Sequence, residues 1–259
     1  MFFPNLAAAS LLAASFTGAT QIFSNKGTTS GWDATFIDAG TSGTVDQVSN
    51  VYYESPSALK MTQTYIPSGY DGRYHAEVHK YNVYKKGDVG FYGFMFRLSS
   101  EWQFDPPQSY NIAQFIADFT DLPCAETYMP SSMVWLYGDQ LQSRVKNGNA
   151  CPVSEQHTDA FPNLAAVTRG EWHKIVIQAS WKSDATGYYK MWFDGASVLN
   201  RTGIKTTVTD ARPFQFRVGL YANGWKDDDG MKGTQGFRQI WFDEIAAGTT
   251  FADADPGQW

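Results

Sequence analysis

No long stretch of this chain holds a clean helical period. What recurs is short runs in which apolar and polar residues alternate, separated by Gly, Pro, Asn and Asp. Alternation places successive side chains on opposite faces of an extended strand, and the turn residues end each strand. Residues 58–65, 74–79, 90–98, 112–119, 133–137, 173–181, 188–193, 214–221 and 239–245 read as strands on this basis. Residues 182–187 and the pair Asp194-Gly195 read as turns between strands. Residues 123–131 and 147–162 are polar and irregular and read as loops beside a cleft. Many short strands with no repeat and no linker imply an all-β fold, a β-jelly roll or concanavalin-like sandwich of two antiparallel sheets. With 259 residues, 43% of them hydrophobic, the chain can bury one full core, so residues 20–259 are expected to form a single domain.

Residues 6–16 form an apolar run too short to span a bilayer, followed by Thr17, Gly18 and Ala19. Residues 1–19 therefore read as a secretory signal peptide, which implies an extracellular protein with no membrane span. In that setting Cys124 and Cys151 are expected to pair as a disulfide. Asn200-Arg201-Thr202 is a glycosylation sequon, which agrees with secretion. The net charge of −6 argues against nucleic acid as a partner, because phosphate neutralisation needs clustered Lys and Arg. It leaves room for a local basic cleft and an anionic ligand.

Three of the strands carry chemistry. In Arg73-Tyr74-His75-Ala76-Glu77-Val78-His79, alternation gathers Arg73, His75, Glu77 and His79 on one face. Such a row is too costly to desolvate as ordinary core; it is either a site or a plain solvated face. In residues 111–119, Ala113, Phe115, Ala117 and Phe119 turn inward, while Gln114 faces the other way and could offer its amide to a carboxylate. In residues 215–225, Gln215, Arg217, Gly219, Tyr221 and Asn223 share a face, and Gly219 leaves a gap through which a ligand could approach the sheet.

At these strands the sequence resembles the jelly-roll polysaccharide lyases. His75-Ala76-Glu77-Val78-His79 is similar to an Arg-x-Glu-x-Arg strand of the alginate-lyase type, with His in place of both Arg. Gln114-Phe115-Ile116 is similar to its Gln-x-His strand, with Ile116 where that type has His. Gln215-x-Arg217-x-Gly219-x-Tyr221-x-Asn223 resembles its Tyr-x-Lys-x-Gly-x-Tyr-x-Gln strand. Taken over nearly the whole mature chain, the likeness is greatest to the fungal glucuronan lyases. It implies β-elimination on an acidic polysaccharide, glucuronan first and alginate or another polyuronate as alternatives. In that reading Tyr221 is the acid and could also be the base. His75 is the base or carboxylate neutraliser, with His79 close behind. Gln114 holds the substrate carboxylate, with Arg73, Arg217, Asn223 and Glu77 around it.

The family likeness also implies a structural calcium, with Asp243, Glu54, Asn25 and nearby oxygens as ligands. Asp227-Asp228-Asp229-Gly230 also resembles a calcium loop, but reads first as a solvated turn. The protein is expected to act as a monomer. Two other functional classes fit the same fold. A non-catalytic carbohydrate-binding module would need aromatic platforms but no acid–base set. A retaining glycosidase would need a close carboxylate pair, and no Glu-x-Asp-x-Glu run is present.

Overall fold

The computed structural model describes residues 20–54 and 56–259, so the signal-peptide reading of residues 1–19 lies outside the described residues. The described chain forms β1 (Gln21–Asn25), β2 (Ala34–Ile37), β3 (Thr44–Val48), β4 (Ala58–Thr64), β5 (His75–Tyr84), β6 (Val89–Leu98), β7 (Ser109–Asp118) and β8 (Tyr128–Tyr137). It continues with β9 (Gln140–Gly148), β10 (Gln156–Ala166), β11 (Trp172–Ser180), β12 (Gly187–Phe193), β13 (Ala196–Ile204), β14 (Phe214–Tyr221) and β15 (Phe237–Gly248). Two short helices, α1 (Asn223–Asp227) and α2 (Phe251–Ala254), follow β14 and β15.

The strands make two antiparallel sheets. One runs β10-β9-β8-β7-β14-β5-β2; the other runs β13-β12-β11-β6-β15-β4-β3, with β1 also paired to β15. Every strand read from alternation is present. The Asp194-Gly195 turn is a tight hairpin connection in which both residues take positive φ, +48° and +83°, the geometry a two-residue β-turn of this hand requires.

Six strands were not read from the sequence, and the reasons differ. β2 and β3 are short and largely exposed, so little apolar pattern marks them. β10 lies at a sheet edge with most side chains in water, and it corrects the reading of 147–162 as irregular chain. Its backbone pairing with β9 substitutes for apolar patterning. β9 did carry a legible signal: Leu141, Ser143 and Val145 turn inward between polar residues. β1 and β13 are likewise edge-like, with few buried positions.

Aromatic rings fill the space between the sheets. Tyr84 stacks on Trp181 at 3.9 Å and on Phe214 at 4.8 Å, and Phe115 stacks on Phe216 at 5.0 Å. Each such buried ring contributes about 1.5–3 kcal/mol by leaving water. The polar end of Trp181 is satisfied as well: its Nε1 donates to Tyr92 Oη at 3.0 Å.

One sheet carries walls on its outer face. Cys124 and Cys151 are joined, with Cα atoms 5.2 Å apart, and tie the β7–β8 connection to the β9–β10 connection. Asn200 is exposed on β13, an edge strand of the opposite sheet. Among the described residues no helix is long and apolar enough to cross a membrane. Replacing both cysteines by Ser should lower unfolding free energy by roughly 3–4 kcal/mol, as expected for a closed loop of this size. Urea unfolding of oxidised wild type and the double variant measures it; equal midpoints would mean that the cross-link does not stabilise the fold.

Candidate active site

Strand alternation places the expected residues. On β5, Ala76 and Val78 enter the core, so His75, Glu77 and His79 face the other way. On β14, Phe216, Val218 and Leu220 enter the core, which leaves Gln215, Arg217 and Tyr221 on the outer face. On β7, Ala113 and Phe115 point inward and Gln114 outward. Pairing then sets the neighbours: His79 lies opposite Arg217, Arg217 opposite Gln114, Glu77 opposite Gly219, and His75 opposite Tyr221. The result is a cleft of about 720 Å³ whose lining includes Arg73, His75, His79, Gln114, Arg217, Tyr221 and Asn223. The row is thus neither ordinary core nor a plain solvated face.

Beneath the cleft floor, Glu77 is fully buried. Gln114 Nε2 donates to both of its oxygens, at 2.8 and 3.1 Å, and His79 Nε2 and Arg217 Nη1 each lie 3.8 Å away. Burial alone would raise the Glu77 pKa. His79, His75 and Arg217 outweigh it and hold the carboxyl down at about 2. Burial pushes His79 below its ordinary value, with Arg217 acting in the same sense, so His79 is neutral near neutral pH.

Two expectations change here. The gap at Gly219 does not admit a ligand, because a Cβ there would fall 2.6 Å from Glu77 Cα and 2.8 Å from its Cγ. Glycine is needed so that Glu77 can fit. Gln114 is committed to Glu77, so its amide does not stand free for a substrate carboxylate.

Above the floor, the Tyr221 and His75 rings stack with centroids 3.7 Å apart. Arg73 Nη1 donates to the Tyr221 hydroxyl and to Asp227 Oδ1, the latter at 3.0 Å. Burial raises the Tyr221 pKa well above its ordinary value, with Arg73 opposing, so the phenol keeps its proton. His75 Nδ1 sits 2.7 Å from Asp38 Oδ2, which also accepts from the His75 backbone N–H at 2.6 Å. A carboxylate can only accept, so Nδ1 carries a proton and Nε2 is the nitrogen left to act as a base.

Asp38 was not singled out in the sequence, because it lies far from β5 in the chain and arrives through the β2–β5 pairing. Asp227 corrects the reading of 227–230 as a solvated turn: it lines the cleft and anchors Arg73. Asn223 begins α1 rather than extending β14. Its Oδ1 accepts from the Asn111 N–H at 3.0 Å and its Nδ2 donates to Ser109 Oγ at 2.9 Å, which fixes the helix to β7. Ile116 lines the cleft where the resembled pattern has His, and His75 takes the place beside Tyr221.

A family model described as polysaccharide lyase matches residues 24–246. The chain belongs to the polysaccharide lyase family. Among solved structures, it is 53% identical to the endo-beta-1,4-glucuronan lyase of the fungus Trichoderma reesei, with 93% of this chain and 100% of that chain covered and a TM-score of 0.88. Two more distant structures share the fold. Cellulose induced protein Cip1 has 18% identity, coverage of 88% and 97%, and a TM-score of 0.53. The marine PL-14 alginate lyase of Aplysia kurodai has 9% identity, coverage of 88% and 99%, and a TM-score of 0.58. A comparison with curated proteins returned no match.

The calcium expectation for this lyase falls at the other sheet. Asp243 is buried, and Oδ2 accepts from the Tyr53 N–H while Oδ1 accepts from the Glu244 N–H, both at 2.8 Å. Asn25 instead turns its side chain into its own loop, bonding Thr28 and Ser30. Glu244, the next residue on β15, is also buried; it takes a φ of +48°, and the β15 register shifts between Asp243 and Ala246. Its two carboxylate oxygens are enclosed without hydrogen-bond partners, and Lys26 Nζ lies 3.8 Å away. Burial raises the Glu244 pKa, with Asp243 and Glu54 adding to it. An acidic pocket of this kind suits a hard cation with oxygen ligands. Among the described residues no group of three or more His, Cys, Asp and Glu is arranged as a metal site, so backbone oxygens would have to complete it.

The Glu77 carboxyl provides a pH test. Its pKa falls from 4.5 unfolded to about 2 folded, worth about 3 kcal/mol. A depressed folded pKa stabilises above the unfolded value, and that stability disappears as the pH falls toward the folded one. Glu77→Gln should therefore be about 3 kcal/mol less stable than wild type at neutral pH. The gap should close as the pH drops from 4.5 toward 2. Denaturant titrations across that range measure it; a gap independent of pH would exclude the charge as the cause.

Proposed function

We propose that this lyase cleaves β-1,4-linked glucuronan by β-elimination. Full-length likeness at 53% identity to an endo-beta-1,4-glucuronan lyase is the observation that carries the substrate. The cleft supports the chemistry. His75 Nε2 takes the C5 proton of a uronate whose carboxylate is neutralised by the guanidinium groups beside it. The electron pair of that C–H bond forms a C4=C5 double bond. The C4–O4 bond breaks, and the Tyr221 hydroxyl protonates the departing O4. Tyr221 is suited to the acid role because burial keeps it protonated, so the base role passes to His75. Asp38 holds the imidazole in its useful tautomer, and Arg73 orients the phenol.

The cleft is poorly equipped for hydrolysis. Glu77 is buried under Gln114, Asp38 is held by His75 and Asp227 by Arg73, so no close pair of free carboxylates flanks the space among the described residues. The apolar leader, the disulfide and the exposed Asn200 sequon support a secreted, glycosylated protein, proposed to act as a monomer on an acidic polysaccharide. Asp243 and Glu244, with oxygens of Glu54 and Ser57, are proposed to hold a calcium ion that neutralises their buried charge and takes no part in the reaction.

Glucuronan mixed with the protein should yield unsaturated ends, read as rising ultraviolet absorbance. Tyr221→Phe should cut kcat by roughly 100-fold or more, the usual size of a lost general acid. Wild-type turnover by the Tyr221→Phe variant, or no unsaturated ends from any polyuronate, would refute the reading.

A further inference from the structure

The pairing registers lay one row of side chains straight across the cleft sheet: His79 on β5, Arg217 on β14, Gln114 on β7, Met133 on β8 and Arg144 on β9. The first three surround Glu77. Arg144 ends the row and also lines the cleft, three strand spacings from Arg217, or roughly 14 Å along the backbone.

Its surroundings are incomplete for a guanidinium. Nε is enclosed with no hydrogen-bond partner. Nη2 faces the Met133 sulfur at 2.9 Å, and a thioether is a weak acceptor. The acids nearest its charge are Glu126 and Asp227, and both are engaged elsewhere. Glu126 Oε2 holds Lys146 Nζ at 2.7 Å, and Asp227 holds Arg73. Lys146 shares β9 with Arg144, two positions on, so the acid contributed by the β7–β8 connection went to the lysine and left the arginine facing the cleft. Arg212 of the same sheet region, by contrast, pairs with both Asp121 and Asp210. A half-buried planar fork without a carboxylate, pointed into a polar cleft, is complete only when an anion enters.

We infer that Arg144 is a second carboxylate-binding position, which takes a uronate further along the same polymer rather than the sugar that reacts. This rests on the polyuronate reading above. A polymer lying along the row of cations, across the strands, would place one carboxylate near Arg217 and Tyr221 and another at Arg144. The position selects chains that carry acid groups at both places, and it rewards length. Burial lowers the Arg144 pKa, yet a guanidinium stays charged at any pH at which the enzyme works.

The test is calorimetric binding of glucuronan disaccharide through hexasaccharide to Tyr221→Phe protein, with and without Arg144→Ala, alongside steady-state cleavage of the polymer by the Arg144 single variant. The expected result is a loss of affinity for the tetrasaccharide and longer chains of roughly 10- to 100-fold, the usual size for a hydrogen bond to a charged group. The disaccharide should bind alike in both, and the loss on polymer should fall on KM rather than kcat. Arg144→Lys, which keeps the charge without the fork, should recover part of the affinity, and it serves if the Ala variant does not fold. Equal affinity for long chains, or the same loss at every length including the disaccharide, would overturn the inference, the latter by showing a structural role. If wild type binds the oligomers in an Arg144-dependent way but never cleaves, the lyase reading falls and this one stands. If wild type binds none of them, both fall.

Discussion

A carboxylate with no contact to water, Glu77, lies under the cleft floor, and the surrounding strands accommodate it. Desolvating an anion is costly unless charge and hydrogen bonds replace its hydration shell. Here Gln114 supplies the hydrogen bonds and Arg217 the charge, with the His79 imidazole packed beside them, each from a strand whose register delivers it there. Gly219 gives the space. Removing the anion would leave Arg217 as an uncompensated charge beneath the site. Glu77 thus serves as the counter-ion that lets Arg217 stay buried at the floor of the cleft.

That arrangement divides the ionisable groups by task. Those below the floor are locked in place and take no proton in the working range. Those above it, Tyr221 and His75, are stacked and partly open to the cleft, each oriented by one charged partner. The walls come from elements outside these strands. The segment held by Cys124–Cys151 brings Glu126 and Tyr128 to one side, and α1 brings Asp227 to the other.

Much of this could be read in the chain, and the failures have physical causes. Alternation on β5, β7 and β14 identified the core face and the cleft face correctly, because a period of two admits one registration against a buried core. The same reasoning saw the faces but not what the side chains on them do to one another. Gln114 looked like a free amide and Gly219 like a vacancy, because their shared partner, Glu77, comes from a strand distant in sequence. Asp38 and Asp227 were missed for the same reason: each acts through a contact made by the fold, and its neighbours in the chain give no sign of it. Arg144 sits in a strand whose alternation was legible but whose function depends on what Glu126 chose to bind. Edge strands such as β10 were lost because backbone pairing rather than apolar burial holds them.

The central claim is the assignment of roles above the floor, with His75 Nε2 as base and the Tyr221 phenol as acid. Nitrogen NMR of the His75 ring in the unliganded protein, at a pH where it cleaves polymer, tests this most directly. The account predicts a proton on Nδ1, facing Asp38, and a bare Nε2. A proton on Nε2, whether as the other tautomer or as the imidazolium, would contradict it and make His75 a neutraliser of the substrate carboxylate instead.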